Sequence, residues 1–295
     1  MNFGLIIIGD EILSGKRVDK HLAKAIELLG ARGLQLGYAD YVGDDPQRIT
    51  AALARAFASD DIVFSCGGIG ATPDDHTRQC AAKALGRDLV LHPQAEALIR
   101  ERMQDVAREQ GVAYEPNRSD NMHRLNMGMF PAGAEIIPNP FNKIPGFYCA
   151  RENESNNFPQ GRPKENSPPR GAATRAAAER GGVYFFPGFP VMAWPMMEWV
   201  LDTYCRQYFV VDAWLEKSVI VFGAMEATLT PLMEDLERLH AVKVFSLPSV
   251  DHPEFGRHIE LGVKGAPAAV ELGYRALLAE LDKFQLKLGP ELVRK

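Results

Sequence analysis

The chain has no C-x-x-C pair: its four cysteines, Cys66, Cys80, Cys149 and Cys205, stand far apart among 295 residues. That spacing excludes zinc-ribbon and thioredoxin-type chemistry and points to no disulfide framework. Cys66 closes a near-apolar run, so it is expected as a small core residue rather than a nucleophile. Basic charge is not in excess either. With 33 Lys and Arg against 38 Asp and Glu, a net charge of −5 leaves no field of the kind that holds nucleic acid. Long hydrophobic runs are also missing. VYFFPGFPVMAWPMM is broken by prolines, and MNFGLIIIGDE carries only a short apolar stretch with no basic segment before it. The expectation is a cytoplasmic, non-membrane protein whose partner is a small molecule.

Two phosphate-binding signatures fail on spacing. GDEILSGKR, residues 9–17, resembles a Walker loop but has one residue too many between Gly9 and Gly15. It also carries Arg17 where a hydroxyl must reach the metal. Gly68-Ile69-Gly70 begins a dinucleotide fingerprint, yet Pro73 stands where its third glycine belongs.

What is present is a repeating alternation of strand and helix. FGLIII reads as a strand buried on both faces, followed by a helix on Leu22, Ile26 and Leu29 that Gly30 and Gly33 terminate. LGYADYV is followed by Asp45 as N-cap, Pro46 at the first helical position, and Ile49, Leu53 and Phe57 on one face. DIVFSC then leads through a glycine loop into TRQCAAKALG. Such repeats predict a three-layer, doubly wound α/β domain with a mostly parallel sheet, over residues 1–210. Within it, 149–182 departs in composition, with repeated prolines and few aromatics, and is expected to be a mobile insert. From 214 to 295 the order β-α-β-β-α predicts a second, smaller α+β domain serving packing or homo-oligomer assembly.

Residues 65–77, SCGGIGATPDDHT, set a problem. Gly67, Gly68 and Gly70 can turn backbone N–H groups into an anion nest, with Thr72 beside them, while Asp74 and Asp75 would repel the anion. Ligands of doubly wound sheets sit outside the carboxyl ends of the strands. There the sequence places Asp10-Glu11, Asp44-Asp45 and Asp74-Asp75. A hard cation such as Mg²⁺ between acids and ligand phosphate resolves the contradiction, because it takes carboxylate, water and phosphate oxygens together. Asp10, Asp44 and Asp75 are the expected metal-holding and catalytic acids, and Asp74 and Glu11 lie with the ligand-binding set.

GDEILSGKRVDKHLAKAI, VGDDPQRI and CGGIGATPDDHT together resemble the molybdopterin-binding family of MoaB and Mog type. They are especially similar to the amino-terminal part of the competence- and damage-inducible protein A (CinA) family, as are PAGAEIIPNPFNKIPGF and FFPGFP. The resemblance covers residues 1 to about 205, and 214–290 is similar to the small domain that follows in CinA proteins. It implies a three-layer α/β fold and binding of a molybdopterin phosphate or a nucleotide, usually with Mg²⁺. It also implies functional roles for Asp44, Asp75 and Thr77, and metal-dependent ADP-ribose pyrophosphatase activity. The carboxyl-terminal deamidase domain of CinA proteins has no counterpart in the chain, so nicotinamide mononucleotide deamidation is expected to be absent.

Two function classes stay open on these residues. One is an enzyme acting through a divalent cation on a phosphate-containing pterin or nucleotide diphosphate. The other is a non-catalytic binding protein or molybdenum-cofactor biosynthesis accessory that uses the same nest.

Overall fold

The computed structural model describes residues 2–150, 181–210 and 215–294. Two compact units result, Met1–Phe209 and Val210–Lys295.

In the first unit, β1 (Phe3–Ile8) is buried along its whole length and alternates sides. Leu5 and Ile7 pack into one core, with α2 (His21–Gly30) and α7 (Pro190–Tyr204). Ile6 and Ile8 pack into the other, with α3 (Pro46–Ala58) and α4 (Thr77–Leu85). A strand covered on both faces reads as the unbroken apolar run seen in its sequence. With β2 (Leu36–Val42), β3 (Ile62–Cys66), β6 (Glu135–Ile137), β7 (Gly146–Ala150) and β8 (Gly182–Phe186), the sheet has the order β2-β1-β3-β8-β7-β6. Pairings among β2, β1, β3 and β8 are parallel. Those of β7 with β8 and β6 are antiparallel. The three-layer α/β expectation therefore holds. Around this frame lie the single turn α1 (Asp10–Leu13), α5 (Pro93–Glu109), α6 (Ser119–Arg124) and the small ladder of β4 (Leu89–Leu91) with β5 (Met129–Pro131).

Local chemistry fixes the helix starts as expected. The Asp45 carboxylate accepts from the Arg48 backbone N–H at 2.8 Å, and Pro46 occupies the first turn. The buried face of α2 differs from the expected stripe. His21, Ala25, Leu28 and Leu29 turn inward, while Ile26 is 52% exposed. Counting the helical period from His21 places Ile26 on the outer side. Cys66 is buried, and burial pushes its thiol well above the ordinary range, as suits a core residue. The expected insert begins and ends inside strands. Cys149 and Ala150 belong to β7 and Gly182 to β8, Gly181 leads into β8, and 151–180 lies outside the described residues.

The second unit forms β9 (Leu215–Phe222), α8 (Glu226–His240), β10 (Lys243–His252), β11 (Gly256–Gly265), α9 (Pro267–Lys283) and β12 (Lys287–Arg294). Its antiparallel sheet has the order β10-β11-β9-β12, and its own core includes Ile259, Leu261 and Val263. The strand β12 escaped the sequence pattern because KLGPELVR carries Gly289 and Pro290. At a sheet edge the missing N–H of proline is tolerated, and the register shifts between Leu288 and Glu291.

Candidate functional site

The parallel register carries the ends of β1, β3 and β8 to one rim. Cys66 pairs with Phe186, so the segment Pro187–Phe189 comes down beside Gly67, whose N–H donates to the Phe186 carbonyl at 3.0 Å. Gly67 and Gly68 turn the chain there with φ of 106° and 66°. A Cβ on Gly67 would strike the Ile8 carbonyl oxygen, and one on Gly68 would strike the Thr77 hydroxyl. Only glycine fits both the conformation and the space.

Thr77 is buried behind this turn rather than open to a ligand. Its N–H donates to the Gly68 carbonyl and its hydroxyl to the Gly67 carbonyl, both at 3.0 Å. Thr77, given a functional role by the resemblance, staples the glycine turn from inside. Thr77→Val, which keeps the shape and deletes the donor, is expected to cost about 1–3 kcal/mol because the buried Gly67 carbonyl loses a partner. Urea unfolding checks this, and an unchanged midpoint would mean the staple contributes nothing.

A cleft of 380 Å³ opens in front of the nest. Gly67, Gly68, Gly70 and Thr72 line it, and so do four carboxylates, Glu11, Asp44, Asp74 and Asp75. The sequence expectation is thus brought together for these eight residues. Asp10 is not among them. It lines a neighbouring cavity with Asp40, Asp45 and Arg48. Asp10 and Asp44 clasp one another, each backbone N–H donating to the other's carboxylate, at 2.9 and 3.1 Å. Among the described residues no group of three or more His, Cys, Asp or Glu is arranged to hold a metal ion. Of the expected triad Asp10, Asp44 and Asp75, the first two are joined by the clasp, but only Asp44 and Asp75 line the cleft. Asp75 in turn organises the loop: its Oδ2 accepts from the Thr72 N–H at 2.8 Å and from the Thr72 hydroxyl at 2.5 Å.

Charge in the cleft is lopsided. Burial raises the Asp44 carboxyl above its ordinary range, and the charges of Asp10, Glu11 and Asp74 raise it further, against the lowering effect of the Asp10 N–H. Hard oxygen donors held close enough to oppose one another's ionisation suit a divalent cation, in the mode where protein carboxylates supply part of the shell and ligand phosphate and water the rest. The residues present would offer at most two carboxylates to one ion, since no three are gathered among the described residues, and ligand phosphate and water would have to complete the shell. On the buried side, Arg78 donates to the Ile69 carbonyl, and burial pushes its pKa down to about 10, partly offset by Asp75. The guanidinium remains charged and places a fixed positive charge behind the nest.

Several lining residues were not expected in the site: Arg17, which only argued against a Walker loop, and Asn139, Asn142, Phe189 and Met192. Asn139 is buried and builds its loop, donating to Asn142 Oδ1 at 2.8 Å and to the Ile144 carbonyl at 2.9 Å. A signal existed for Phe189. The rule that ligands lie beyond strand carboxyl ends applies to VYFFPGFP as it does to the first three strands. Arg78, inside a helix start, offered none.

A family model described as "Probable molybdopterin binding domain" matches residues 4–207. The chain belongs to that family. A CinA-like protein of Geobacter metallireducens is 37% identical over 150 residues, 50% of this chain and 33% of that protein. The chain thus spans about a third of the length of such relatives. A protein of Caldivirga maquilingensis is 28% identical over 242 residues, 82% of this chain and 78% of its own. Among solved structures, the protein CinA of Thermoplasma acidophilum, described as of unknown function, is 26% identical with a TM-score of 0.51. It covers 68% of this chain and 98% of its own length. The family's MoaB-type, CinA-like domain is what the sequence motifs resembled. No described helix is long and apolar enough to cross a membrane.

Proposed function

We propose that the cleft binds a phosphate-containing pterin or nucleotide together with a divalent cation such as Mg²⁺, and that it hydrolyses the diphosphate of a nucleotide such as ADP-ribose. The observation that carries this reading is that one cleft is lined both by the glycine turn, where Gly67 and Gly68 leave no room for a side chain, and by four carboxylates. Neither half makes sense alone, because the acids repel what the nest attracts. One or two of Asp44, Asp75, Asp74 and Glu11 would hold the cation, and the glycine turn would hold phosphate, with Thr72 fixed beside it by Asp75. When bound, the cation supplies charge withdrawal from phosphate oxygens. The protein's own groups orient the ligand: the Gly67–Gly70 turn fixes where the anion lies, and the wall of Phe189 and Met192 accepts the apolar part of a pterin or base.

Titration with ADP-ribose and with a molybdopterin-like ligand, each with Mg²⁺ and with chelator, followed by assay for AMP, tests the proposal. Metal-dependent binding with AMP release supports it. Metal-dependent binding of either ligand without AMP would overturn the hydrolytic part and leave a molybdenum-cofactor accessory role. Equal binding in chelator would overturn the part assigned to the cation.

The pH dependence follows from Asp44. Its folded-state pKa is raised, so the folded protein keeps that proton to a higher pH than the unfolded chain does. Ionising it therefore costs stability as pH rises through the window just above the ordinary carboxylate range, and a bound cation reverses the cost. Expected without metal is a Tm that falls across that window, and with Mg²⁺ a shallower fall or a rise. Identical profiles with and without Mg²⁺ would show that Asp44 does not meet the cation.

A further inference from the structure

The nest cleft shares Ile8, Glu11, Arg17 and Gly188 with a second lobe of 420 Å³, which reaches between β1 and the start of α2. Its electrostatics are the reverse of the nest's. Arg17 and Lys20 line it, and neither pairs with a carboxylate among the described residues. Arg17 lies over the Phe189 ring, 6.0 Å from its centroid. Glu11, on the shared wall, is the acid that faces them. Asp19 is already committed, accepting from the backbone N–H groups of His21 and Leu22 and from the Tyr41 hydroxyl.

His21 supplies the independent observation. It lines the same lobe, is only 4% exposed, and its Nδ1 is buried with no hydrogen-bond partner. Its Nε2 lies 3.0 Å from the Gly188 carbonyl oxygen. A carbonyl only accepts, so Nε2 carries the proton and Nδ1 of the neutral ring presents a bare lone pair. A buried acceptor left unmatched is costly, and a ligand hydroxyl would match it.

We infer that this lobe binds a hydroxyl-bearing oxyanion, a phosphate or carboxylate whose charged oxygens meet Arg17 and Lys20 and whose neighbouring hydroxyl donates to His21 Nδ1. No metal is needed there, because the lobe's own cations supply the charge that the nest lacks. That the two lobes hold two ends of one ligand rests on the function proposed above; the lobe's affinity for the oxyanion does not.

The test uses the full chain stripped of metal on a chelating resin, with glycerol 3-phosphate and glycerate as probes and inorganic phosphate and glycerol as controls. The His21 imidazole resonances report occupancy. Expected is a saturable shift with glycerol 3-phosphate, glycerate or both, with the responding probe naming the oxyanion, and weaker binding of inorganic phosphate. Arg17→Met should weaken the responding probe by about tenfold, the scale of one lost charge-assisted hydrogen bond. His21→Phe, read by calorimetry after circular dichroism confirms folding, should erase the advantage of glycerol 3-phosphate over phosphate. No saturable response without metal, an unchanged affinity in both Arg17→Met and Lys20→Met, or an equal response to glycerol alone would overturn the inference. ADP-ribose with Mg²⁺ failing to bind while this titration succeeds would sink the nest reading and leave the lobe standing.

Discussion

Gly67→Ala is expected to lower stability by roughly 2–6 kcal/mol, combining about 1–3 for a disfavoured backbone conformation with about 1–3 for overpacking. It should abolish phosphate-ligand binding as well. The residue sits at φ 106°, and the added methyl would meet the Ile8 carbonyl oxygen. That oxygen belongs to the backbone at the end of β1, inside a parallel ladder that also pairs with β2 and β3, so it has little room to move. Relief by shifting Gly67 instead would tilt the nest and pull on the Thr77 hydroxyl that holds it. Gly86→Ala is the control. It also has a positive φ, 64°, in the ordinary left-handed region, with nothing within 4 Å of the new methyl, so it should cost about 1 kcal/mol, the conformational part alone. Urea denaturation of both variants separates strain from clash. Equal losses in the two would mean that close approach contributes nothing at the nest.

The sequence made the first unit legible because its periods are strong. A strand covered on both faces needs an unbroken apolar run, and FGLIII and DIVFSC supply it. Asp45 and Pro46 mark a helix start through chemistry confined to a few residues. The acidic pairs were legible as a group through a rule about strand ends, and eight of the ten expected ligand and metal residues line one cleft because β2, β1 and β3 are neighbours in the sheet. What the rule could not give is side-chain direction. Asp10 and Glu11 are adjacent, yet Glu11 enters the cleft while Asp10 turns to the Asp44 backbone. Thr77 was legible as part of the motif but not as its inner staple, because burial behind a turn leaves no mark in a local pattern. The edge strand β12 was hidden by its Gly289 and Pro290, residues that an edge tolerates and a pattern search rejects.

Asp75→Asn decides between the two electrostatic accounts of the nest. In the folded protein one oxygen of Asp75 accepts both the N–H and the hydroxyl of Thr72, so an amide oxygen can accept the same two bonds and the loop should keep its shape. The substitution then removes one negative charge and little else. Arg78, whose charge Asp75 partly supports, becomes less compensated, which adds to the positive potential behind Gly67 and Gly68. Without a cation in the cleft, both changes favour an anion, and phosphate-ligand binding should tighten. With a cation held in part by Asp75, the variant loses a charge-assisted contact, and binding in Mg²⁺ should weaken by about 1–3 kcal/mol. The expected result is opposite signs: weaker binding in Mg²⁺ and tighter binding in chelator, measured calorimetrically on wild type and variant. Weakening in both conditions would show that the loop had lost its shape, which the Thr72 bonds predict against, and would be visible as a lowered Tm. Tighter binding in both conditions would remove the cation from the site and leave Asp75 with its contacts to Thr72 alone.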